Sequence, residues 1–245
     1  MAGHSKWANI KHKKARTDAQ RGKIFTKIAR EITVAVKSGG SGDPDVNFRL
    51  RLAIDKARRL NIPNDNIKRA IQSGLGSQEG DAFEEFSYEG YGPCGVAVIV
   101  DLLSDNRNRT ASDIRHLFSR HGGNMGETGC VSYMFDRKGS IMIDRSVDTR
   151  SEDEMLLVAL EAGAEDLQVD DESFQIITAP DQLEQVRRQL AEAGVEIESA
   201  ELEMIPQTTV EVEGEDAEKV LRLLNALEEH DDVQNVYTNA DIREE

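Results

Sequence analysis

Cysteine is scarce in this chain. Only Cys94 and Cys130 occur among 245 residues, too few for a disulfide framework or a cysteine-based zinc site, so both read as reduced packing residues. Long apolar runs are missing too: nothing approaches the roughly 20 residues that a membrane span needs. Also absent are a nucleophile elbow, a Walker loop, a zinc signature and an ordered Ser/His/Asp set. No catalytic residue, metal, cofactor or small-molecule substrate is therefore expected, and the chain reads as a non-enzymatic cytoplasmic protein with no membrane partner. Gly90, Gly92 and Gly95 do spell G-x-G-x-x-G. They lead into VAVIVDLL, a buried strand and not the helix N-terminus that a phosphate loop requires, so these glycines are expected to serve a hairpin bend. His116 and His121 stand five apart, which points them to different faces of a helix.

What the chain has is charge, sorted by sign along its length. Up to Ser73 there are 17 Lys and Arg against 6 Asp and Glu, a net of +11; residues 74–245 carry 13 against 40, a net of −27. A polyanion is drawn to one end and repelled by the other, so the overall net charge of −16 is a poor guide to the partner. Within the first thirty residues Lys6, Lys11, Lys13, Lys14, Arg16, Arg21, Lys23, Lys27 and Arg30 face only Asp18. Trp7 adds a flat surface that could stack on a base or anchor the tail to the first helix. The opening resembles a transit peptide but is poor in serine, and it reads as a retained cationic tail. Arg58, Arg59, Lys68 and Arg69 extend the basic set into the next two helices. Acidic runs such as Glu228-Glu229-His230-Asp231-Asp232 read as solvated helix ends. Arg107 and Arg109 stand at a predicted helix N-terminus, against the macrodipole, in what reads as an exposed capping loop.

Periodicity divides the chain into three parts. Ile24, Phe25, Ile28, Ile32, Ala35 and Val36 recur at helical spacing before Ser38-Gly39-Gly40. A second helix is predicted from about Asp45 to Leu60, burying Val46, Leu50, Ala53, Ala57 and Leu60. A third starts at Pro63-Asn64-Asp65 and ends at Gly74. Beyond a linker-like LGSQEGD stretch the pattern alternates: a hairpin over Phe86–Tyr91 and Val96–Leu102, a helix over 110–121, and a strand over Val131–Phe135. Residues 139–205 then read strand, helix, strand, strand, helix, strand, a ferredoxin-like βαββαβ unit. A last strand, helix and strand after Pro206 cannot bury their apolar faces alone and are expected to return to the earlier strands. The expected fold class is α+β. A basic three-helix domain, residues 1–78, precedes a discontinuous α+β domain, 79–136 plus 207–245, with the ferredoxin-like unit, 137–206, inserted into it.

The segments GHSKWANIKHKKARTDAQRGKIFTKIAREI, NFRLRLAIDKARRLNIPNDNIKRAI, NRTASDIRHLFSRHGG, VSYMFDRKG and DVQNVYTN resemble the YebC/PmpR family over the whole chain. The resemblance implies a three-domain protein, a helical N-terminal domain followed by two α+β domains. Part of the family is described as DNA-binding transcriptional regulators. Other members are ribosome-associated translation activators, some mitochondrial, that aid synthesis through proline-containing stretches. The expected partner is thus nucleic acid, either promoter DNA or ribosomal RNA and tRNA on the ribosome. Cys130 departs from the small residue expected there, so no role attaches to its thiol. No helix gathers the Asn, Gln and Arg set that reads base edges, which leaves the choice between DNA and RNA open.

Overall fold

A computed structural model describes residues 21–76 and 83–243. The chain divides into two compact units. The first holds residues 21–76, 83–131 and 218–236, and the second holds 132–217 and 237–243.

In the first unit α1 (Arg21–Gly39), α2 (Phe48–Arg59) and α3 (Asn64–Gly76) form a helical cluster. Its core is Ile28, Ile32, Ala35, Val36, Leu50, Ala53, Ile54, Ala57, Ile62, Ile67 and Ala70, with Ile24, Phe25, Leu60 and Ile71 packed around it. These are nearly all the apolar positions that the helical spacing selects. Val46 is the exception, 75% exposed, because α2 starts later than its apolar pattern suggests. Asn47 is the N-cap: its Oδ1 accepts from the Leu50 amide at 3.1 Å while its Nδ2 donates to Ala35 O and Ser41 O, both at 2.9 Å. That buried amide fixes the entry of α2 against the end of α1 and leaves Val46 outside the helix. Gly74 does not end α3, which runs to Gly76. A Cβ there would come within 2.7 Å of Val36 Cβ, so the glycine serves close approach of α1 and α3.

The same unit contains β1 (Glu84–Tyr91), β2 (Ala97–Ser104), α4 (Arg107–Arg120) and the short β3 (Asn124–Met125). β1 and β2 are an antiparallel hairpin, Glu84 opposite Ser104 through Tyr91 opposite Ala97. The turn between them is a single 3-10 turn, Pro93–Gly95, with Cys94 at φ 60° and Gly95 at φ +75°. The G-x-G-x-x-G pattern is thus a hairpin bend. Cys94 is exposed there, which corrects its reading as a packing residue; Cys130 is half-buried, and neither is in a disulfide. Thr110, Ile114 and Phe118 are the buried side of α4.

The second unit begins where the sequence pattern suggests a short strand. Residues 132–134 form a 3-10 turn instead, and β4 (Phe135–Asp144) runs on from it without a break. The predicted strand over Val131–Phe135 is therefore wrong: the apolar residues Val131 and Phe135 are both buried, but in a turn and a strand start. After β4 come α5 (Glu152–Glu161), β5 (Asp166–Val169), β6 (Ser173–Thr178), α6 (Leu183–Glu192) and β7 (Ser199–Pro206). Sheet order β5-β6-β4-β7, all antiparallel, is the ferredoxin-like arrangement, in which each βαβ pair leaves room for a strand between its members.

The last elements are β8 (Val210–Glu213), α7 (Gly214–Glu228), β9 (Val233–Thr238) and β10 (Ala240–Arg243). β9 lies beside β2 in a four-stranded sheet of order β3-β1-β2-β9. β8 does not join that sheet; it pairs in parallel with β10, a strand the periodicity missed. Val220, Leu223, Leu224 and Leu227 are the fully buried side of α7. Among the described residues no helix is long and apolar enough to cross a membrane.

Candidate nucleic-acid interface

Of the fourteen cationic and aromatic residues that the sequence assigns to nucleic acid, Lys6, Trp7, Lys11, Lys13, Lys14 and Arg16 lie outside the described residues, as does the side chain of Arg21. The other seven fall into two groups with different surroundings.

Lys23, Lys27 and Arg30 follow one another at helical spacing along α1 and meet the chain just after α7. Lys27 Nζ donates to Glu228 O at 2.6 Å and Lys23 Nζ to Glu229 O at 3.3 Å, with Asp231 Oδ1 3.7 Å from Lys23. These carbonyls belong to the last turn of α7 and the residue after it, where the helix dipole presents partial negative charge. Arg30 Nη1 donates to Asp231 O and to Asp232 Oδ1, both at 3.2 Å, and its guanidinium lies 5.1 Å from the Phe83 ring centroid.

Asp232 is the centre of this junction. It is only 5% exposed. Its Oδ2 accepts from Ser104 Oγ at 3.0 Å and Thr110 Oγ1 at 2.8 Å, and Arg109 Nη2 stands 3.5 Å away. The reading of this acidic run as a solvated helix end holds for the exposed Glu229 and Asp231 and fails at Asp232, which is buried and links α1, the end of β2 and the start of α4. Burial alone would push the Asp232 carboxyl upward. Hydrogen bonds from Thr110 and Ser104, aided by His230 and Arg109, outweigh that and hold it below the usual carboxylate range. Arg109 also gains a reason for its place at a helix start: besides Asp232 it pairs with Asp105 at 2.9 Å. A polar pocket of about 410 Å³ opens beside the junction, lined by Lys23, Arg30, Arg109, Asp113, His230 and Asp232 among others. Its lining combines three Lys and Arg with four carboxylates, which largely neutralise each other, so its field does not select an anion.

The second group flanks the short turn between α2 and α3. Arg58 and Arg59 close α2, Lys68 and Arg69 stand in the second turn of α3, and all four are exposed. Arg58 has Asp55 at 3.7 Å; Arg69 donates to Asn66 Oδ1 at 2.8 Å and Asp65 O at 3.3 Å. The turn is rigid: the Ile62 amide donates to Ala57 O at 2.9 Å, Asn61 takes a left-handed φ of 56°, and Ile62 is buried. Four cations on two short helices held by one turn can touch a phosphate backbone without being ordered first. Three other cations of the helical cluster are committed elsewhere. Arg49 is bidentate to Glu85, Lys56 faces Glu31 at 3.4 Å, and Arg51 donates to Pro44 O and Asp45 O.

Sequence reasoning missed Asp232, Ser104, Thr110 and Glu89. The Glu89 carboxylate is buried and accepts from the Gly129 and Val131 amides at 2.8 and 2.9 Å, so it holds the loop before β4. Glu89 stands on the polar phase of β1, beside Ser87 and opposite to Phe86 and Tyr88, so the alternation gave no sign of its burial. No group of three or more His, Cys, Asp and Glu that could hold a metal ion occurs among the described residues.

Comparison with known proteins covers the whole molecule. The TACO1/YebC protein N-terminal domain matches residues 5–77, and the TACO1/YebC second and third domain matches residues 83–240. A protein of Desulfitobacterium hafniense, named a "probable transcriptional regulatory protein", is 58% identical over 98% of this chain and 95% of its own length. One of Pelotomaculum thermopropionicum with the same name is 57% identical over 100% of both. The crystal structure of a conserved hypothetical protein from Aquifex aeolicus superposes with a TM-score of 0.86 at 51% identity, covering 94% of each chain. With both family models and near full-length relatives in agreement, this chain belongs to the TACO1/YebC family.

Proposed function

We propose that this chain is a non-enzymatic, cytoplasmic regulator of transcription that binds duplex DNA through its basic segment, residues 1–73. The observation that carries the reading is the sign separation, +11 over 1–73 against −27 beyond it. Arg58, Arg59, Lys68 and Arg69 are its preformed, exposed part, and the tail adds lysines along its length. The regulatory names of the relatives point the same way. The acidic remainder repels the same polymer over about one Debye length, roughly 10 Å at 0.1 M salt, so it favours one docking orientation.

A second reading is a ribosome-associated translation activator that binds ribosomal RNA and tRNA. One observation favours it: the exposed set on α2 and α3 is made of Arg and Lys, which suit phosphates of any nucleic acid and carry no base-edge code. The test is binding of the full chain to duplex DNA and to looped single-stranded RNA across salt concentration, with Trp7→Ala beside the parent. If roughly 6 phosphates are contacted, log K on duplex falls with log salt at a slope of about −5. On duplex the tail Trp finds no exposed base face and Trp7→Ala changes little. A preference for RNA, with Trp7→Ala weakening it by roughly tenfold or more, overturns the DNA reading in favour of the ribosomal one. Equal losses on both ligands together with a lowered melting temperature make Trp7 a structural anchor.

A further inference from the structure

Helix α5 breaks the rule that its neighbour α6 keeps. Both belong to the ferredoxin-like unit, and both bury one side: Met155 and Ala159 in α5, Leu183, Val186 and Leu190 in α6. The outer side of α6 is polar, with Gln185, Arg188 and Glu192. The outer side of α5 carries Leu156, Leu157 and Leu160, exposed by 40, 62 and 52%. Leu156 and Leu160 are one turn apart, and Leu157 lies beside both, so the three make a continuous apolar triangle. A helix of ten residues stabilised only by its inner side gains nothing from three solvated leucines.

The surroundings say what could cover them. The helix contains Glu152, Asp153, Glu154 and Glu161 and no Lys or Arg. Glu154 is committed to the capping box with Ser151, and Glu152 lies 3.6 Å from Arg145. Asp153 and Glu161 lie one turn before and one turn after Leu157, and so border the triangle at both ends. A second copy of this helix would bring these acids against their own kind. An anionic lipid surface or a nucleic acid would meet the same repulsion. What matches is apolar in the middle and cationic at the rim.

We propose that the outer face of α5 is a docking surface for a basic amphipathic helix of a partner protein, with Leu156, Leu157 and Leu160 receiving its apolar anchors and Asp153 and Glu161 its flanking cations. Such a helix lays anchors at three- and four-residue spacing onto the triangle. The surface belongs to residues 152–161, outside the basic segment 1–73.

The experiment uses the full chain and two synthetic 18-residue Leu/Lys peptides of identical composition, one amphipathic as a helix and one scrambled, with affinity read by anisotropy and the contact mapped by amide NMR shifts. The amphipathic peptide is expected to bind at least tenfold more tightly than the scrambled one, with shifts concentrated on residues 151–162. Leu157→Gln with Leu160→Gln should erase that preference without lowering the melting temperature, since both leucines are exposed. Asp153→Asn with Glu161→Gln should weaken binding and flatten its salt dependence. Equal binding of the two peptides, shifts centred elsewhere, or an unchanged preference in the leucine variant overturns the proposal. So does self-association of the parent chain that the leucine variant abolishes, which would make the occupant a second copy.

Discussion

Lys23, Lys27 and Arg30 on α1 and Arg58, Arg59, Lys68 and Arg69 on α2 and α3 look alike as sequence: each set is basic and lies on an amphipathic helix. In the fold they part. The first set is turned onto the end of α7 and onto Asp232, where it caps carbonyls and pairs with a buried carboxylate. The second remains exposed around a rigid turn. One basic helix can therefore be the internal counter-charge of an acidic body, while its neighbours keep their cations at the surface, within reach of a partner. Charge density along a chain does not distinguish these uses, because both need the same residue types; only the position of the acids in space does.

The largest effect expected from this contrast is on binding. Replacing Arg58, Arg59, Lys68 and Arg69 together by Ala should flatten the log K against log salt slope on duplex DNA by about 3 to 4 and lower affinity by roughly 10²–10³-fold near physiological salt. Lys23→Ala with Lys27→Ala should leave that slope nearly unchanged. The comparison breaks if the two variants lose the same slope, since the α1 cations would then leave their internal partners to bind.

Next comes Asp232, where stability is the readout. Asp232→Ala strands Ser104, Thr110 and Arg30 beside a buried site and should cost about 3 kcal/mol in urea unfolding. Since this carboxyl titrates below its ordinary value in the folded chain, its contribution is present above the unfolded value near about 4 and is lost as pH falls through the folded one. Parent and Asp232→Asn should therefore differ clearly at neutral pH and converge in acid. A constant difference down to the acid limit would remove Asp232 from the linkage.

Much of this was open to sequence reasoning. The helical core was readable because its apolar spacing is strong and local, and the βαββαβ order was readable because each element has its own period and punctuation. The misreadings share a physical cause. Val46 fits a helical stripe, but a buried Asn47 making bonds to two other segments outranks it. Gly74 looks like a stop until Val36 is seen across from it. Asp232 looks like one more solvated acid, and only Ser104 and Thr110, far away in sequence, make it a structural centre. The cation row on α1 is legible as charge and is assigned there to nucleic acid, whereas its partner on the end of α7 lies some 200 positions further on. Tertiary partners, unlike period, leave no trace in the neighbouring residues.

A smaller effect is expected at Lys27. Its ammonium sits 2.6 Å from Glu228 O in the last turn of α7, where a cation complements the negative end of the helix dipole; Lys27→Met should keep the apolar stem and cost about 0.5 to 1 kcal/mol. Repeating the melt in high salt should narrow the difference only partly, since the site is half-buried.

The smallest effect is set by the pair Arg222 and Glu218, one turn apart on α7 at 2.7 Å, with both side chains 67% exposed. Distance alone would rank it above Arg30 and Asp232 at 3.2 Å. Exposure reverses that order: water screens the attraction, and holding two long side chains in register opposes it, so such pairs contribute about 0.3 to 0.5 kcal/mol. Arg222→Ala should therefore shift stability by no more than about 0.5 kcal/mol, and the shift should vanish in 1 M salt, where the Debye length is about 3 Å. Arg30→Ala, which leaves the buried Asp232 carboxylate short of a donor, should cost clearly more and keep most of that cost in salt. Equal losses from the two substitutions, measured by urea unfolding at both salt concentrations, would show that the junction at Asp232 is a surface contact like any other.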